Sequence, residues 1–160
     1  MELLDRHCRE QNQKEDNNDQ SFESQYDFVY LPFDFLRGQN LGYAFINFTT
    51  VKGASTLYTC WNNKGWICCP KIRAITPAKL QGLVQCRRHF ESSVFKCESE
   101  EFLPLEFSPP RNGFNGDPCN AKTIGKWVCN GDPSRKRPSD IFWWAKTVHP
   151  PRLSRNSARG

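Results

Sequence analysis

The sequence predicts an α+β fold, because segments with helical periodicity alternate with short runs of aromatic and β-branched residues. Around Leu57 and Phe90, apolar residues recur at intervals of three and four, which is the spacing of one helix face. Residues 26–33 and 41–48 are instead typical of strands, and the turn-forming Gly38 separates them. The predicted element order is helix, strand, strand, helix, strand, helix.

The first half of this order begins with an amphipathic helix at residues 1–11. Its apolar face contains Leu3, Leu4, His7 and Cys8. Residues 11–25 are almost wholly polar and are predicted to form a solvated loop. The two strands, residues 26–33 and 41–48, follow this loop.

The second half begins with a helix that Thr49 or Thr50 can cap. Its apolar stripe consists of Ala54, Leu57, Tyr58 and Trp61. A short strand is predicted at residues 71–75, between two prolines. The last helix presents one face formed by Leu80, Leu83, Cys86, Arg87 and Phe90.

Charge is distributed unevenly along the chain, whose net charge is +5. Residues 1–110 hold 12 basic and 14 acidic groups, whereas residues 111–160 hold 10 and 3. Prolines and Asn-Gly turns in the second part predict one domain at residues 1–107 and a mostly disordered, basic tail at residues 108–160. Charge alone therefore does not predict a general phosphate-binding surface on the domain.

The sequence contains no pattern that indicates catalysis, metal binding or a membrane span. No apolar run approaches roughly 20 residues, the eight cysteines include no Cys-x-x-Cys pair, and no acid, base and nucleophile converge. We therefore expect no enzymatic activity, metal, cofactor, membrane or small-molecule substrate, and a location in the nucleus or cytoplasm with mostly reduced thiols. A basic cluster at Arg135, Lys136 and Arg137 predicts either nuclear import or a solvated linker.

Residues 41–48 resemble the octamer Lys/Arg-Gly-Phe/Tyr-Gly/Ala-Phe-Val-x-Phe/Tyr of RNA-recognition motifs. Seven of the eight positions match if Ile46 replaces valine, and Leu41 stands where the pattern has a cation. Alternation along a strand places Tyr43 and Phe45 together on the open face of the sheet. Each exposed ring can stack a base, which contributes about 1–3 kcal/mol. The alternative is that this run is only a core strand.

Further strings accompany the octamer, namely YDFVYLP at residues 26–32, LQG at residues 80–82 and FSPPRNG at residues 107–113. Together they resemble the C-terminal RNA-recognition motif of the meiosis-two-like, terminal-ear-type RNA-binding proteins, over about residues 1–114. The resemblance implies a ferredoxin-like β-α-β-β-α-β sandwich with an extra C-terminal helix, RNA binding, and roles in meiosis or plant development, and the exposed aromatic residues predict that the RNA is single-stranded. In such motifs the first strand lies at the centre of the sheet. Because Met1 falls inside the first helix, we expect that central strand to be absent from this chain.

Seven residues are predicted to contact RNA, and the first pair, Tyr43 and Phe45, stack bases. If Val29 and Leu31 face the core, alternation places two more aromatic residues on the same face. Three cations are expected to hold phosphates. One of them, Arg37 in the loop between the two strands, takes the place of the cation that is missing at Leu41. The five additional candidates are Phe28, Tyr30, Arg37, Lys71 and Arg73. Burial by the last helix or tail is the alternative for the aromatic pair, and simple solvation is the alternative for the two strand cations.

Two other functions are compatible with the sequence. A sheet without its central strand can act as a protein-interaction module that accepts a strand from a partner or from its own chain. Residues 102–105 and 126–129 are the internal candidates for such a strand. The remaining alternative is a truncated product without independent function.

Overall fold

A computed structural model describes residues 1–14, 24–66, 69–97, 99–115 and 120–128, without the side chain of Cys69. Its helices are α1 (Glu2–Lys14), α2 (Val51–Trp61), α3 (Leu83–Glu91) and a one-turn 3-10 helix (Glu100–Phe102). Its strands are β1 (Tyr26–Tyr30), β2 (Phe33–Asp34), β3 (Gln39–Asn40), β4 (Phe45–Phe48), β5 (Gly65–Trp66), β6 (Cys69–Ile72), β7 (Val94–Lys96), β8 (Leu105–Arg111), β9 (Ala121–Thr123) and β10 (Lys126–Val128). The predicted α+β class and the order of the main elements are confirmed.

An antiparallel sheet of four strands, in the order β4, β1, β8, β9, forms the centre of the molecule. The pairing of β1 with β4 shifts register between Tyr26 and Phe28. This irregularity brings Tyr26 and Val29 onto one face of the sheet, whereas Phe28 and Tyr30 lie on the other. Each face carries its own hydrophobic core, so the sheet is covered on both sides.

Helices α1 and α2 cover the first face. The buried core there consists of Leu4, Cys8, Tyr26, Val29, Leu57 and Phe107. Helix α2 begins after Thr50, whose hydroxyl accepts a hydrogen bond of 2.9 Å from the Gly53 N–H. That bond satisfies one of the backbone donors that every helix start leaves without an intrahelical partner.

Helix α3 covers the second face. The buried core there consists of Phe28, Cys86, Phe90 and Ile124. The rings of Phe28 and Phe90 are stacked, with centroids 5.7 Å apart and planes inclined by 17°. Helix α3 therefore lies across part of the sheet face on which the octamer places its aromatic residues.

The segment after α3 extends the sheet and holds α1, which differs from the disordered tail expected from residue 108. Strand β8 crosses the expected domain boundary at residue 107 and pairs with both β1 and β9. At the end of β8, Arg111 forms an ion pair of 2.7 Å with Asp5 of α1, and just beyond the strand the Gly113 carbonyl accepts a hydrogen bond of 2.8 Å from the Arg9 side chain. Of the expected tail, residues 116–119 and 129–160 lie outside the described residues.

The other two expected strands differ from the structure in their bounds. Residues 41–44 precede β4 rather than forming part of it, because Gly42 adopts a left-handed φ of 84° and its N–H donates to the Asn40 side chain at 2.9 Å. The strand expected at residues 71–75 is β6, which pairs with β5 in a separate hairpin. Beyond this hairpin, the Arg73 N–H donates to the Lys64 carbonyl and the Asn63 N–H donates to the Arg73 carbonyl, both at 2.9 Å.

Strand β4 has a strand partner on one edge only within the part of the chain that the structure describes. Neither internal candidate fills the other edge. Residues 102–105 belong to the 3-10 helix and the start of β8, and Lys126–Val128 form β10, which runs parallel to β7. The edge of β4 that faces away from β1 is therefore open among the described residues.

Candidate nucleic-acid interface

Tyr43 and Phe45 form an exposed aromatic pair at the start of β4. Tyr43 is 51% exposed and Phe45 is 37% exposed. Their ring centroids lie 5.6 Å apart, with the planes nearly perpendicular at 86°. The left-handed turn at Gly42 directs the chain into β4 just before this pair. The two rings thus offer adjacent aromatic surfaces of the kind that stack unpaired bases.

Tyr30 supports this pair from the neighbouring strand. It lies opposite Phe45 in the β1–β4 register, and the two rings are nearly parallel, with centroids 6.3 Å apart. The other side of Tyr30 packs edge-on against Phe90 of α3 and Phe95 of β7. Burial also raises the pKa of the Tyr30 hydroxyl. Tyr30 is therefore half-buried and holds Phe45 in place.

Phe28 does not reach the surface, which corrects its expected place on an open face. Its side chain is 0% exposed, because Phe90 stacks directly on it. The alternation that assigned Phe28 and Tyr30 to one face is correct, but α3 covers most of that face. An aromatic run in one strand does not reveal that a helix later in the chain packs on it.

Asn47 links the octamer to α3, a role that the sequence pattern does not predict. Its side-chain oxygen accepts a hydrogen bond of 3.1 Å from the Gly82 N–H, just before α3. Its amide nitrogen donates to Asp27 of β1 at 2.7 Å. Burial raises the pKa of Asp27, although the bond from Asn47 opposes this shift. The sequence signal for this junction was the LQG string at residues 80–82, because its glycine, Gly82, adopts a left-handed φ of 81° there.

The predicted cations occupy two different places. Arg37 lies in the exposed turn between β2 and β3, where its guanidinium is 3.7 Å from Asp34. Lys71 is exposed on β6, outside the four-stranded sheet. Arg73 is only half-exposed, because its guanidinium lies over the rings of Trp61 and Trp66, 5.1 Å and 5.2 Å from their centroids.

Arg73 also uses its N–H groups within the protein. They donate to the carbonyls of Lys64 and Gly65 at 3.3 Å and 3.1 Å. A guanidinium that is stacked and hydrogen-bonded in this way stabilises the β5–β6 hairpin. Of the three predicted cations, Arg37 and Lys71 are thus the exposed ones.

The described residues contain no group of three His, Cys, Asp or Glu side chains arranged to hold a metal ion. None of the helices described here is both long and apolar enough to cross a bilayer.

The sequence is similar to known proteins over most of its length. The family model described as RNA recognition motif 2 matches residues 9–91, just over half of the 160 residues. The terminal ear1 homolog of Oryza sativa subsp. indica is 41% identical over 119 residues, and terminal ear1 of Zea mays is 40% identical over 117 residues. MEI2-like 6 of Oryza sativa subsp. japonica is 39% identical over 120 residues.

These three matches each cover 71% of this chain but only 17%, 18% and 37% of the respective relatives. The chain therefore spans well under half of the length of the relatives it matches. The match includes β1, β4 and α3, which form the site and its support. The resemblance inferred from the sequence strings is confirmed, and the chain belongs to the RNA recognition motif 2 family, with terminal ear and MEI2-like proteins of plants as relatives.

Proposed function

We propose that this protein binds single-stranded RNA by stacking bases on Tyr43 and Phe45. The observation that carries the proposal is the exposure of these two adjacent rings at the octamer of a family defined by RNA recognition. Exposed large aromatic side chains are costly to solvate, and a nucleobase offers each ring a complementary flat surface. The proposed ligand is therefore an unpaired stretch of RNA rather than a duplex.

The site is small, because α3 occupies the rest of the face. Phe28 is fully covered and Tyr30 is held between Phe45 and Phe90. Among the described residues of this face, Tyr43 and Phe45 remain for stacking, so their aromatic surface accommodates about two bases. Phe45 is held by Tyr30 and therefore loses little side-chain freedom when a base stacks on it.

Two cations extend the proposed site toward the phosphates. Arg37 and Lys71 are exposed, and the ion pair of Arg37 with Asp34 is long and solvated, so a phosphate can replace it at little cost. Arg73 is left out of the proposed site because its guanidinium is held by Trp61 and Trp66. The biological role we propose is post-transcriptional regulation of meiosis or development in the nucleus or cytoplasm, as the family resemblance implies.

The test compares two substitutions of the exposed aromatic pair with one control substitution on the opposite face of the sheet. Tyr43→Ala and Phe45→Ala should each weaken binding to a pool of single-stranded oligoribonucleotides by about tenfold or more, the value of one stacked base. Tyr58→Ala is the matched control, because Tyr58 is a tyrosine of similar exposure, 49%, on α2 across the sheet. Fluorescence anisotropy measures affinity, and circular dichroism verifies that each variant is folded. Equal affinities for the wild type and the Tyr43 and Phe45 variants would disprove the proposed site.

A second candidate function is the acceptance of a β-strand at the open edge of β4. The observation in its favour is that β4 pairs with β1 only, among the residues that the structure describes. Strand addition uses backbone hydrogen bonds for affinity and side-chain pockets for specificity. This function and RNA stacking use different atoms of β4, so they are tested separately.

A further inference from the structure

Trp127 is a partly exposed tryptophan on β10, which lies outside the four-stranded sheet. Its side chain is 37% exposed. Its indole N–H donates a hydrogen bond of 3.0 Å to the carboxylate of Glu100, and this bond restrains the orientation of the ring. A large aromatic ring that is both exposed and restrained can stack on a nucleobase with little loss of side-chain freedom.

A row of aromatic side chains connects Trp127 to the exposed pair at β4. Trp127 is opposite Phe95 in the parallel register of β10 and β7, so the two side chains lie on the same side of neighbouring strands. The ring centroid of Phe95 is 5.6 Å from that of Tyr30, and the centroid of Tyr30 is 6.3 Å from that of Phe45. Because neighbouring strands are about 4.8 Å apart, the whole row spans no more than about 20 Å.

The residues just before Trp127 are packed closely, which fixes the position of β10. Ile124 is buried in the second core. A Cβ atom at Gly125 would lie 2.6 Å from the ring of Phe95, so the backbone of residue 125 rests directly on that ring. The Lys126 N–H donates to the carbonyl of the residue before β7 at 2.9 Å. These contacts hold β10 at the end of the aromatic row.

A second set of contacts connects Trp127 to the hairpin that carries Arg37. Glu100, which accepts the indole hydrogen bond, begins the 3-10 helix that ends at Phe102. The Phe102 ring lies 4.9 Å from the ring of Phe33 in β2, and β2 pairs with β3 in this hairpin. Trp127 is therefore linked to both parts of the proposed RNA site, the stacking pair and the loop cation.

We propose that Trp127 stacks a further base of the same RNA strand whose bases stack on Tyr43 and Phe45. This proposal rests on the proposed function and extends its site beyond β4. The half-buried rings of Tyr30 and Phe95 lie between the two stacking positions. Nucleotides spaced by about 3.4 Å, as in a helical strand, cover 20 Å with about six residues, and a more extended strand needs fewer. The ligand is thus an unpaired segment of up to about six nucleotides.

The first test measures the affinity of the full chain for a ten-nucleotide oligouridylate by fluorescence anisotropy. Trp127→Ala should weaken binding at least fivefold, because one stacked base is lost, whereas Trp127→Phe keeps a ring and should retain most of the affinity. Val128→Ala is the matched control, since Val128 is the next residue of β10, is 50% exposed and points to the other side of the strand. This control should bind like the wild type, and circular dichroism verifies that each variant is folded.

Glu100 is a positioning residue in this proposal, because it acts through the indole N–H of Trp127. Glu100→Gln keeps an oxygen that accepts the hydrogen bond, and its affinity should equal or exceed that of the wild type. Glu100→Ala removes the acceptor and should weaken binding. Loss of a negative charge alone would tighten RNA binding in both variants, so opposite effects of Gln and Ala identify the hydrogen bond as the cause.

Photo-cross-linking with oligouridylates that carry a single 5-iodouridine distinguishes failure of this proposal from failure of the proposed function. We expect one position to cross-link to Trp127 and another to Tyr43 or Phe45. Cross-links and affinity losses that are confined to Tyr43 and Phe45 would overturn the role of Trp127 and leave the proposed function intact. An equal loss of affinity in Trp127→Ala and Val128→Ala would also overturn it. Binding that depends on none of the three rings would remove both proposals.

Discussion

His7 is a buried titratable residue in the first core of the sheet. Its side chain is 3% exposed and lies edge-on between Phe48 and Trp61, with ring centroids 6.5 Å and 5.7 Å away. Its Nε2 atom has no hydrogen-bond partner among the described residues. Burial lowers the pKa of His7, since the charged imidazolium loses its hydration there. The neutral form is therefore the one that the core accepts.

We predict that His7 makes the domain less stable as the pH falls. Its pKa is about 6.5 when unfolded and lower when folded, so the unfolded chain binds the extra proton first. The contribution of neutral His7 to the free energy of unfolding is complete above about pH 6.5. Below that pH it is lost, by up to roughly 1.4 kcal/mol per pH unit, until the pH reaches the pKa of His7 in the folded protein. Urea unfolding from pH 7.5 to 5 measures this slope.

Two histidine variants provide the comparison. His7→Phe keeps an aromatic ring in the core and should flatten the pH dependence of the free energy of unfolding in this range. His89→Gln changes an exposed histidine on α3 and should leave the slope as it is in the wild type. A wild-type slope that persists in His7→Phe would show that another group causes the acid sensitivity.

At the scale of single residues, alternation along the chain predicted the faces of side chains but not their burial. It placed Tyr43 and Phe45 together, and the structure shows both exposed. It also placed Phe28 on that face, where α3 covers it. The prediction that Arg73 contacts phosphate fails to account for its burial in the same way, because Trp61 and Trp66 pack against its guanidinium from other elements. Burial depends on contacts between distant segments, which the local pattern does not contain.

At the scale of elements, β8 shows why composition alone was misleading. Pro109 and Pro110 favoured a disordered tail, because proline cannot donate to a strand ladder. In the structure, β8 pairs through Leu105, Glu106 and Phe107 and again at Arg111. The prolines fall between these paired positions, so no ladder donor is lost. The described fold therefore continues past residue 108, since β9 pairs with β8 and Ile124 lies in the second core.

Gly113 makes the contact between this segment and α1 especially close. Its φ is 87°, and a Cβ atom there would lie 2.6 Å from the Arg9 backbone nitrogen and closer still to the Asp5 carbonyl. Such a contact is with helix backbone, which cannot move aside cheaply. Only glycine combines this backbone conformation with this approach.

We predict that Gly113→Ala destabilises the domain more than Gly42→Ala does. Gly42 has nearly the same φ, 84°, but nothing lies within 4 Å of an added Cβ. Both variants incur the left-handed conformational cost of about 1–2 kcal/mol. Gly113→Ala should lose roughly a further 1–3 kcal/mol from overpacking against α1. Chemical denaturation measures both values, and equal losses would contradict a close contact between residue 113 and α1.

At the scale of the whole molecule, stacking and charge lie in different parts of the chain. The exposed aromatic pair is on the folded domain, whereas residues 129–160, which follow β10, hold seven basic and two acidic groups. On the domain, the proposed site includes only Arg37 and Lys71 as exposed cations. Stacking is insensitive to salt and phosphate contacts are not, so the two contributions to RNA affinity can be separated by ionic strength.

We predict that the tail supplies more of the salt dependence of RNA binding than the domain does. Each phosphate contact with single-stranded RNA changes the slope of log affinity against log salt by about 0.7. Replacing Arg135, Lys136 and Arg137 with Gln should therefore reduce the slope by up to about 2, and Arg37→Gln with Lys71→Gln by about 1.4. Tyr43→Ala should lower affinity at every salt concentration and leave the slope unchanged. Anisotropy titrations over a series of KCl concentrations give the slope for the tail variant, for the Arg37 and Lys71 variant and for Tyr43→Ala. A slope that is unaffected by the tail substitutions would instead place the phosphate contacts on the domain.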